Sequence, residues 1–321
     1  MLERLQFPSS WNTPALPGYG TFPAPFVQAL GYENAARHAQ SAIEQALIVG
    51  YRHFDTAFAY RNQDLVGAAV RTQGVSRAEV FVTSKLHPYN NSQSEALSRT
   101  KESIRLIWGD EAAAPEKAYL DAFLIHYPAF GNPIGAWKGL VEAREQGLAR
   151  HIGVSNFEIH HLELLYKATG VCPELNQIEF HPYIFLEQRE LAAFCRKQAI
   201  ALEGYCPLAE GAVLSDPEMI AIAAAHHTTP AAVALRWCMQ HGIRPIVGSR
   251  NPSHIRANAV LLELRLSDEE MNRIDSLSSK TSLRVSLNWH WNAKTAPLGG
   301  PIPRQPVRRL LKRCASLLGR G

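Results

Sequence analysis

The chain reads as a (β/α)8 barrel in one domain, and three observations predict this. Short apolar runs alternate with helical patterns along the sequence, as expected of parallel strands joined by crossover helices. Counted from Leu16 to Val247, these runs number eight, enough to close a barrel. Three of the early runs end on a chemically active side chain: Asp55, Lys85 and His126. Parallel strands in a barrel bring such ends to one face. The competing fold is an open dinucleotide-binding sheet, which needs a Gly-x-Gly-x-x-Gly turn after an early strand. The sequence has none.

The elements follow in order. Residues 1 to 33 are punctuated by proline and glycine and read as irregular, with a first strand inside Leu16 to Phe22. The spacing predicts a helix from Asn34 to Val49, stopped by Gly50 just past its end. The aromatic run Tyr51 to Phe54 predicts a strand ending on Asp55, then Tyr60 in a loop and a helix from Gln63 to Arg71. Phe81 to Ser84 predicts a strand ending on Lys85. Ser92 with Glu95 forms a capping-box pattern opening a helix that reaches Trp108. Gly109 to Lys117 is acidic, alanine-rich and long for a connection, so a surface insertion is expected. Ala122 to Ile125 predicts a strand ending on His126, and Ile134 to Gln146 a helix closed by Gly147. Strands are then expected at His151 to Ser155, Leu175 to Glu179, Ile200 to Tyr205 and Pro245 to Val247. The intervening helices are expected at His160 to Ala168, Glu187 to Lys197, Asp216 to His226 and Pro230 to His241.

Composition narrows the function. With 46% hydrophobic residues in 321, the chain can bury a large core. No apolar run reaches the roughly eighteen residues of a membrane span, and Met1 to Ser10 lacks a signal-peptide apolar region. The cysteines (Cys172, Cys195, Cys206, Cys238, Cys314) are scattered without CxxC spacing. That argues against disulfides and a metal site, and for a reducing, cytoplasmic compartment. The net charge of +4 belongs to the C-terminus, where Arg304, Arg308, Arg309, Lys312, Arg313 and Arg320 stand with no acid. The body is therefore near neutral, and no nucleic-acid partner is expected. A monomer is expected. The chain divides into a barrel over residues 1–298 and a tail over 299–321, whose Gly299, Gly300, Pro301, Pro303 and Pro306 read as a linker. Beyond it Val307, Leu310, Leu311, Cys314, Leu317 and Leu318 recur at helical spacing among the bases. Such a helix suits weak peripheral contact with an anionic membrane, or a calmodulin-like groove. Its bland alternative is packing on the chain's own barrel.

Taken singly, the active side chains are ambiguous. Asp55 and Tyr60 could cap and pack a turn, Lys85 could be a salt bridge at a barrel mouth, and His126 could be a core histidine. Their joint occurrence with the phrases Asp55-Thr56-Ala57, Tyr60 with Asn62, Leu124-Ile125-His126 and Gly153-Val154-Ser155-Asn156-Phe157 changes the reading. So does Asn176-Gln177-Ile178-Glu179 followed by His181-Pro182-Tyr183. With these the chain resembles the aldo-keto reductases over roughly residues 12 to 280.

The resemblance implies NADPH-dependent reduction of an aldehyde or ketone to an alcohol. Tyr60 would be the general acid; its free pKa of about 10 is high for the task, and a nearby Lys85 ammonium would lower it. Asp55 would hold Lys85, and His126 would hydrogen-bond the carbonyl oxygen. Thr21 and Asp55 would face the cofactor, Ser155, Asn156 and Gln177 would bind the nicotinamide carboxamide, and Tyr205 would stack on the ring. Pro207 and Leu208 would line the pyrophosphate. At the adenosine end Gly248-Ser249 replaces the family's frequent Lys-Ser, and His254 stands where an arginine is common. Arg250 beside Ser249 would then supply the positive charge, and Asn258 would contact adenine. NADPH is favoured, with NADH possible. Phe22, His87 and Tyr127 occupy places where many relatives have tryptophan and would line the substrate pocket; Trp289 and Trp291 would cover its mouth or pack on outer helices. The alternative is a nicotinamide-binding redox sensor or regulatory subunit with little turnover. A barrel isomerase acting on phosphate substrates is a further competitor.

Overall fold

The computed structural model describes residues 16–22, 32–86, 92–109, 119–128, 131–259 and 264–285. His87, Trp289, Trp291, the stretch after Gly109 expected to be an insertion, and the tail lie outside the described residues. The strands are β1 (Gly18–Gly20), β2 (His53–Asp55), β3 (Phe81–Leu86), β4 (Leu120–Ile125), β5 (Ala149–Ser155), β6 (Leu175–Glu179), β7 (Ala201–Tyr205) and β8 (Arg244–Val247). All neighbours pair in parallel in chain order, and β8 returns to β1, closing the barrel. The crossover helices are α1 (Tyr32–Val49), α2 (Gln63–Thr72), α3 (Gln93–Trp108), α4 (Pro133–Glu145), α5 (Ile159–Thr169), α6 (Phe185–Lys197), α7 (Pro217–Ala225) and α8 (Pro230–Gln240). After β8 come α9 (Pro252–Ala259), α10 (Asp268–Asp275) and α11 (Leu277–Lys280). Among the described residues, no helix is long and apolar enough to cross a membrane.

Side chains alternate along each strand, so every second residue enters the barrel. Outward Val82, Phe123, Ile125, Ile178 and Leu202 join the large core shared with the helices. Phe81, Ala122, Leu124, Leu175 and Ala201 form a separate apolar cluster, which plugs the interior. Other inward positions are polar and buried: His53, Asp55, Thr83, Lys85, Gln177, Glu203 and Arg244. The bond from Gln177 to Asp55 joins β6 to β2. Those strands are not neighbours, so the bond runs across the interior.

Element boundaries follow local chemistry. Ser92 and Glu95 exchange both bonds of the expected capping box, and Gly50 takes φ +108° just after α1, a region that favours glycine. The strand β2 starts at His53 rather than Tyr51. Tyr51 N–H instead bonds Ala46 O at 2.9 Å, and the Arg52 guanidinium donates to Leu47 O at 2.9 Å. Tyr51 thus finishes α1, whereas the Arg52 backbone oxygen already accepts from Phe81 N at 2.7 Å and leads into the sheet. Likewise β1 is confined to Gly18–Gly20. Helices α9 to α11 were not expected, although Ser267 and Glu270 make a complete capping box at the start of α10.

Candidate active site

Three side chains meet at the C-terminal mouth of the barrel. Asp55 ends β2 and Lys85 stands near the end of β3. Lys85 Nζ donates to Asp55 Oδ1 at 2.6 Å and Oδ2 at 2.7 Å, and to Thr56 O at 3.1 Å. Both side chains are almost wholly buried. Burying two charges is tolerable only when each meets the other in good geometry, and here both carboxylate oxygens are engaged. The loop after β2 makes a 3₁₀ turn, Phe58–Tyr60, ended by Arg61 in the left-handed region. That turn carries Tyr60 back over the mouth, where Lys85 Nζ lies 3.5 Å from its hydroxyl and 5.1 Å from its ring centre.

His126 follows β4, and its ring meets the Tyr60 ring edge to face at 5.7 Å. Tyr127 stacks on His126 at 4.5 Å with 14° between planes. Phe22, beyond β1, is 56% exposed yet sets its ring edge to face against Tyr60 at 5.1 Å. The cleft around the Tyr60 hydroxyl is thus walled by Phe22, His126 and Tyr127.

The phenol departs from expectation. Lys85 does not bring Tyr60 below its ordinary range; burial, then the charge of Asp55, hold it well above. The reason lies in the same geometry. Lys85 is bound by both oxygens of Asp55, and the negative charge of Asp55 reaches the buried phenol as well. Tyr60 is therefore a fully protonated donor at neutral pH.

A second group of polar side chains lies on β5, β6 and β7. Ser155 ends β5, and its hydroxyl donates to the Gln177 backbone oxygen at 2.8 Å. Asn156 follows with φ +67°. Its Nδ2 donates to Ser155 Oγ and His126 O, each at 3.0 Å, and its Oδ1 accepts from the Tyr205 hydroxyl at 2.7 Å. Gln177 Nε2 donates to Asp55 Oδ2 at 2.7 Å and to Glu203 Oε2 at 2.9 Å. A primary carboxamide is both donor and acceptor; with their own hydrogens spent on one another and on the chain, the hydroxyl and two amides gathered here present oxygen acceptors to its N–H groups beside the half-buried Tyr205 ring. The set fits a nicotinamide carboxamide. After Tyr205 the chain passes through Cys206 in the left-handed region to buried Pro207 and half-buried Leu208.

The expected adenosine residues lie apart, on the loop after β8 and on α9. Ser249 O accepts the Tyr19 hydroxyl at 2.6 Å, and the charge of Arg250 acts on the same phenol, which burial nonetheless pushes up. His254 is exposed on α9, and Asn258, one turn later, is buried. Thr21 is fixed through Asn62, whose Nδ2 donates to Thr21 O at 2.7 Å and whose Oδ1 accepts from Thr56 Oγ1 at 3.1 Å. Asn62 thereby ties the end of β1 to the turn after Asp55.

Sequence reading missed Glu203, His53 and Arg244, three wholly buried ionisable residues inside the barrel. Their signal was present: a charged or imidazole side chain at an inward position of an otherwise apolar strand.

Comparison with known proteins agrees with the barrel fold and the family resemblance. A model of the aldo/keto reductase family matches residues 27–279. Glyoxal reductase of Bacillus subtilis is 37% identical over 240 residues, 75% of this chain and 83% of that protein. Methylglyoxal reductase DkgA of Salmonella typhimurium is 38% identical over 241 residues, 74% of this chain and 83% of that one. Among solved structures, Bombyx mori aldo-keto reductase in complex with NADP superposes with a TM-score of 0.74 at 28% identity, covering 88% of this chain and 94% of that one.

Proposed function

The chain belongs to the aldo/keto reductase family and is an NAD(P)H-dependent oxidoreductase, and we propose that it uses NADPH to reduce small aldehydes and ketones with Tyr60 as the general acid. The observation that carries this reading is the Asp55–Lys85–Tyr60 cluster at the mouth, with Nζ 2.6 Å from the carboxylate and 3.5 Å from the phenol.

Bound NADPH would supply the hydride. The chain's own residues handle the oxygen. The Tyr60 hydroxyl donates its proton as negative charge develops there, a contribution on the order of 10²–10⁴ in rate. The hydroxyl is protonated at neutral pH, and the Lys85 ammonium, 3.5 Å away, meets the tyrosinate left behind. Asp55 holds Lys85 charged and in place, so no reorganisation is needed during the step. His126 stands beside Tyr60 to orient the carbonyl oxygen. Ser155, Asn156 and Gln177 hold the carboxamide against Tyr205, with Thr21, Pro207 and Leu208 along the cofactor. Arg250, aided by Ser249, His254 and Asn258, holds the adenosine end, where a guanidinium suits a 2′-phosphate through its paired donors. NADH remains a poorer alternative cofactor.

The substrate class follows from the cleft and from the relatives. Phe22, Tyr127 and His126 set aromatic and imidazole faces around Tyr60, and two relatives are named for glyoxal and methylglyoxal. Short dicarbonyl aldehydes are therefore the first substrates to try. A panel of glyoxal, methylglyoxal, a sugar aldehyde and an aromatic aldehyde, followed by NADPH absorbance, tests the reading. The expected result is multiple turnovers with at least one short aldehyde. NADPH binding without consumption across the panel would favour the redox-sensor alternative.

A further inference from the structure

Glu203 lies inside the barrel and takes no part in the proton transfer described above, yet it touches a residue assigned to the cofactor. On β7 it is wholly buried, and its Oε2 accepts from Gln177 Nε2 at 2.9 Å. The second Nε2 hydrogen of Gln177 goes to Asp55 Oδ2 at 2.7 Å. An amide nitrogen has two hydrogens, so both are spent. Turned over, the amide would set its carbonyl oxygen against the Asp55 carboxylate. Gln177 is thus held in one sense, and the polar atom it can offer a ligand is Oε1, an acceptor.

The residues behind Glu203 hold it in turn. Arg244, its cross-strand partner on β8, donates from Nη1 to His53 Nδ1 at 3.2 Å. A guanidinium can only donate, so His53 Nδ1 accepts and the neutral ring carries its proton on Nε2. That nitrogen faces Thr83 Oγ1 at 3.1 Å and Glu203 Oε1 at 3.5 Å. Burial keeps His53 neutral, well below its usual range. The Glu203 carboxyl therefore sits between a fixed imidazole and the Gln177 amide, with the Arg244 charge beside it.

We propose that Glu203, backed by His53 and Arg244, is a positioning residue that commits the Gln177 amide to present only its carbonyl oxygen to the cofactor, so that the site selects the amino group of the nicotinamide carboxamide. The inference rests on the reading of Gln177 as a carboxamide ligand.

The test compares two oxidised cofactors: NADP and its 3-acetylpyridine analogue, which keeps the ring carbonyl and replaces the amino group by methyl. The wild-type chain should bind the analogue about tenfold more weakly, the scale of one hydrogen bond. Removing Glu203 alone would strand the buried Arg244 charge, so the main variant is the double substitution Glu203→Leu with Arg244→Leu, and Glu203→Gln is measured beside it. In the double variant the Gln177 amide is freed on one side and can turn, so the discrimination should shrink to about threefold or less; Glu203→Gln keeps an acceptor oxygen for Gln177 and should retain the discrimination. A general packing role would weaken both cofactors equally and leave their ratio unchanged; that outcome in the double variant overturns the positioning role. A wild-type chain that binds the two cofactors equally would instead overturn the carboxamide reading of Gln177. The wild-type comparison does not depend on any variant folding.

Discussion

Burial, followed by the charge of Asp55, raises the Glu203 carboxyl from 4.5 to about 7. This has a consequence for stability. Between those values the folded chain keeps a proton that the unfolded chain has lost, so stability falls as pH rises through that window and is flat above it. The shift corresponds to about 3 kcal/mol. Glu203→Gln removes the titration, so the stability of wild type relative to this variant should decline from pH 4.5 to 7 in urea unfolding. A constant difference across that window would show that Glu203 does not titrate there. At this scale the sequence was informative where chemistry and strand position coincided. Asp55, Lys85 and His126 each stand at or beside a strand end, and a reader of the sequence can see that. Glu203, His53 and Arg244 sit mid-barrel, and their partners are 191 and 26 residues away or similarly remote. No local spacing announces such bonds. The raised Tyr60 pKa was also hidden, because it depends on burial in the folded site and then on the nearby charge of Asp55.

The loop from β8 into α9 carries the proposed reading of the cofactor's phosphate. Arg250 opens that loop beside Ser249, and Asn251 Oδ1 accepts from Ser253 N at 2.9 Å, which shapes the start of α9. If Arg250 grips the 2′-phosphate, Arg250→Ala should weaken NADPH by about 1.5–3 kcal/mol, the value of a charge-assisted hydrogen bond. NADH should be nearly unaffected. Fluorescence titration with both cofactors checks this, and an equal loss for both would remove Arg250 from that role. Elements were more legible than residues: each strand was found to within a few positions, because period-two apolar runs bounded by glycine and polar residues are strong signals. The errors have physical causes. Tyr51 looks like strand but completes α1 through its backbone bond to Ala46 O. Gly18–Gly20 is too short and glycine-rich to mark its own ends. Helices α9 to α11 follow the last strand, where alternation no longer predicts anything, and only the Ser267 capping box announces α10.

At the scale of the molecule, a barrel gathers residues from β2, β3 and β4 on one face, so a site dispersed over seventy positions becomes a single cluster. We propose that the functional barrel ends at residue 298 and that the basic tail over 299–321 is dispensable for turnover while conferring weak binding to anionic vesicles. A chain ending at Gly300 should keep its turnover and lose vesicle sedimentation; unchanged sedimentation with altered substrate affinity or stability would make the tail part of the fold. The proposal that Tyr60 is the proton donor is tested most directly by the Tyr60→Phe variant, which keeps the ring and removes only the hydroxyl. NADPH binding and single-substrate turnover are measured together on the aldehyde that the wild-type chain reduces best. The account predicts turnover reduced by about 10²–10⁴ with NADPH affinity retained, and wild-type turnover in the variant would contradict it.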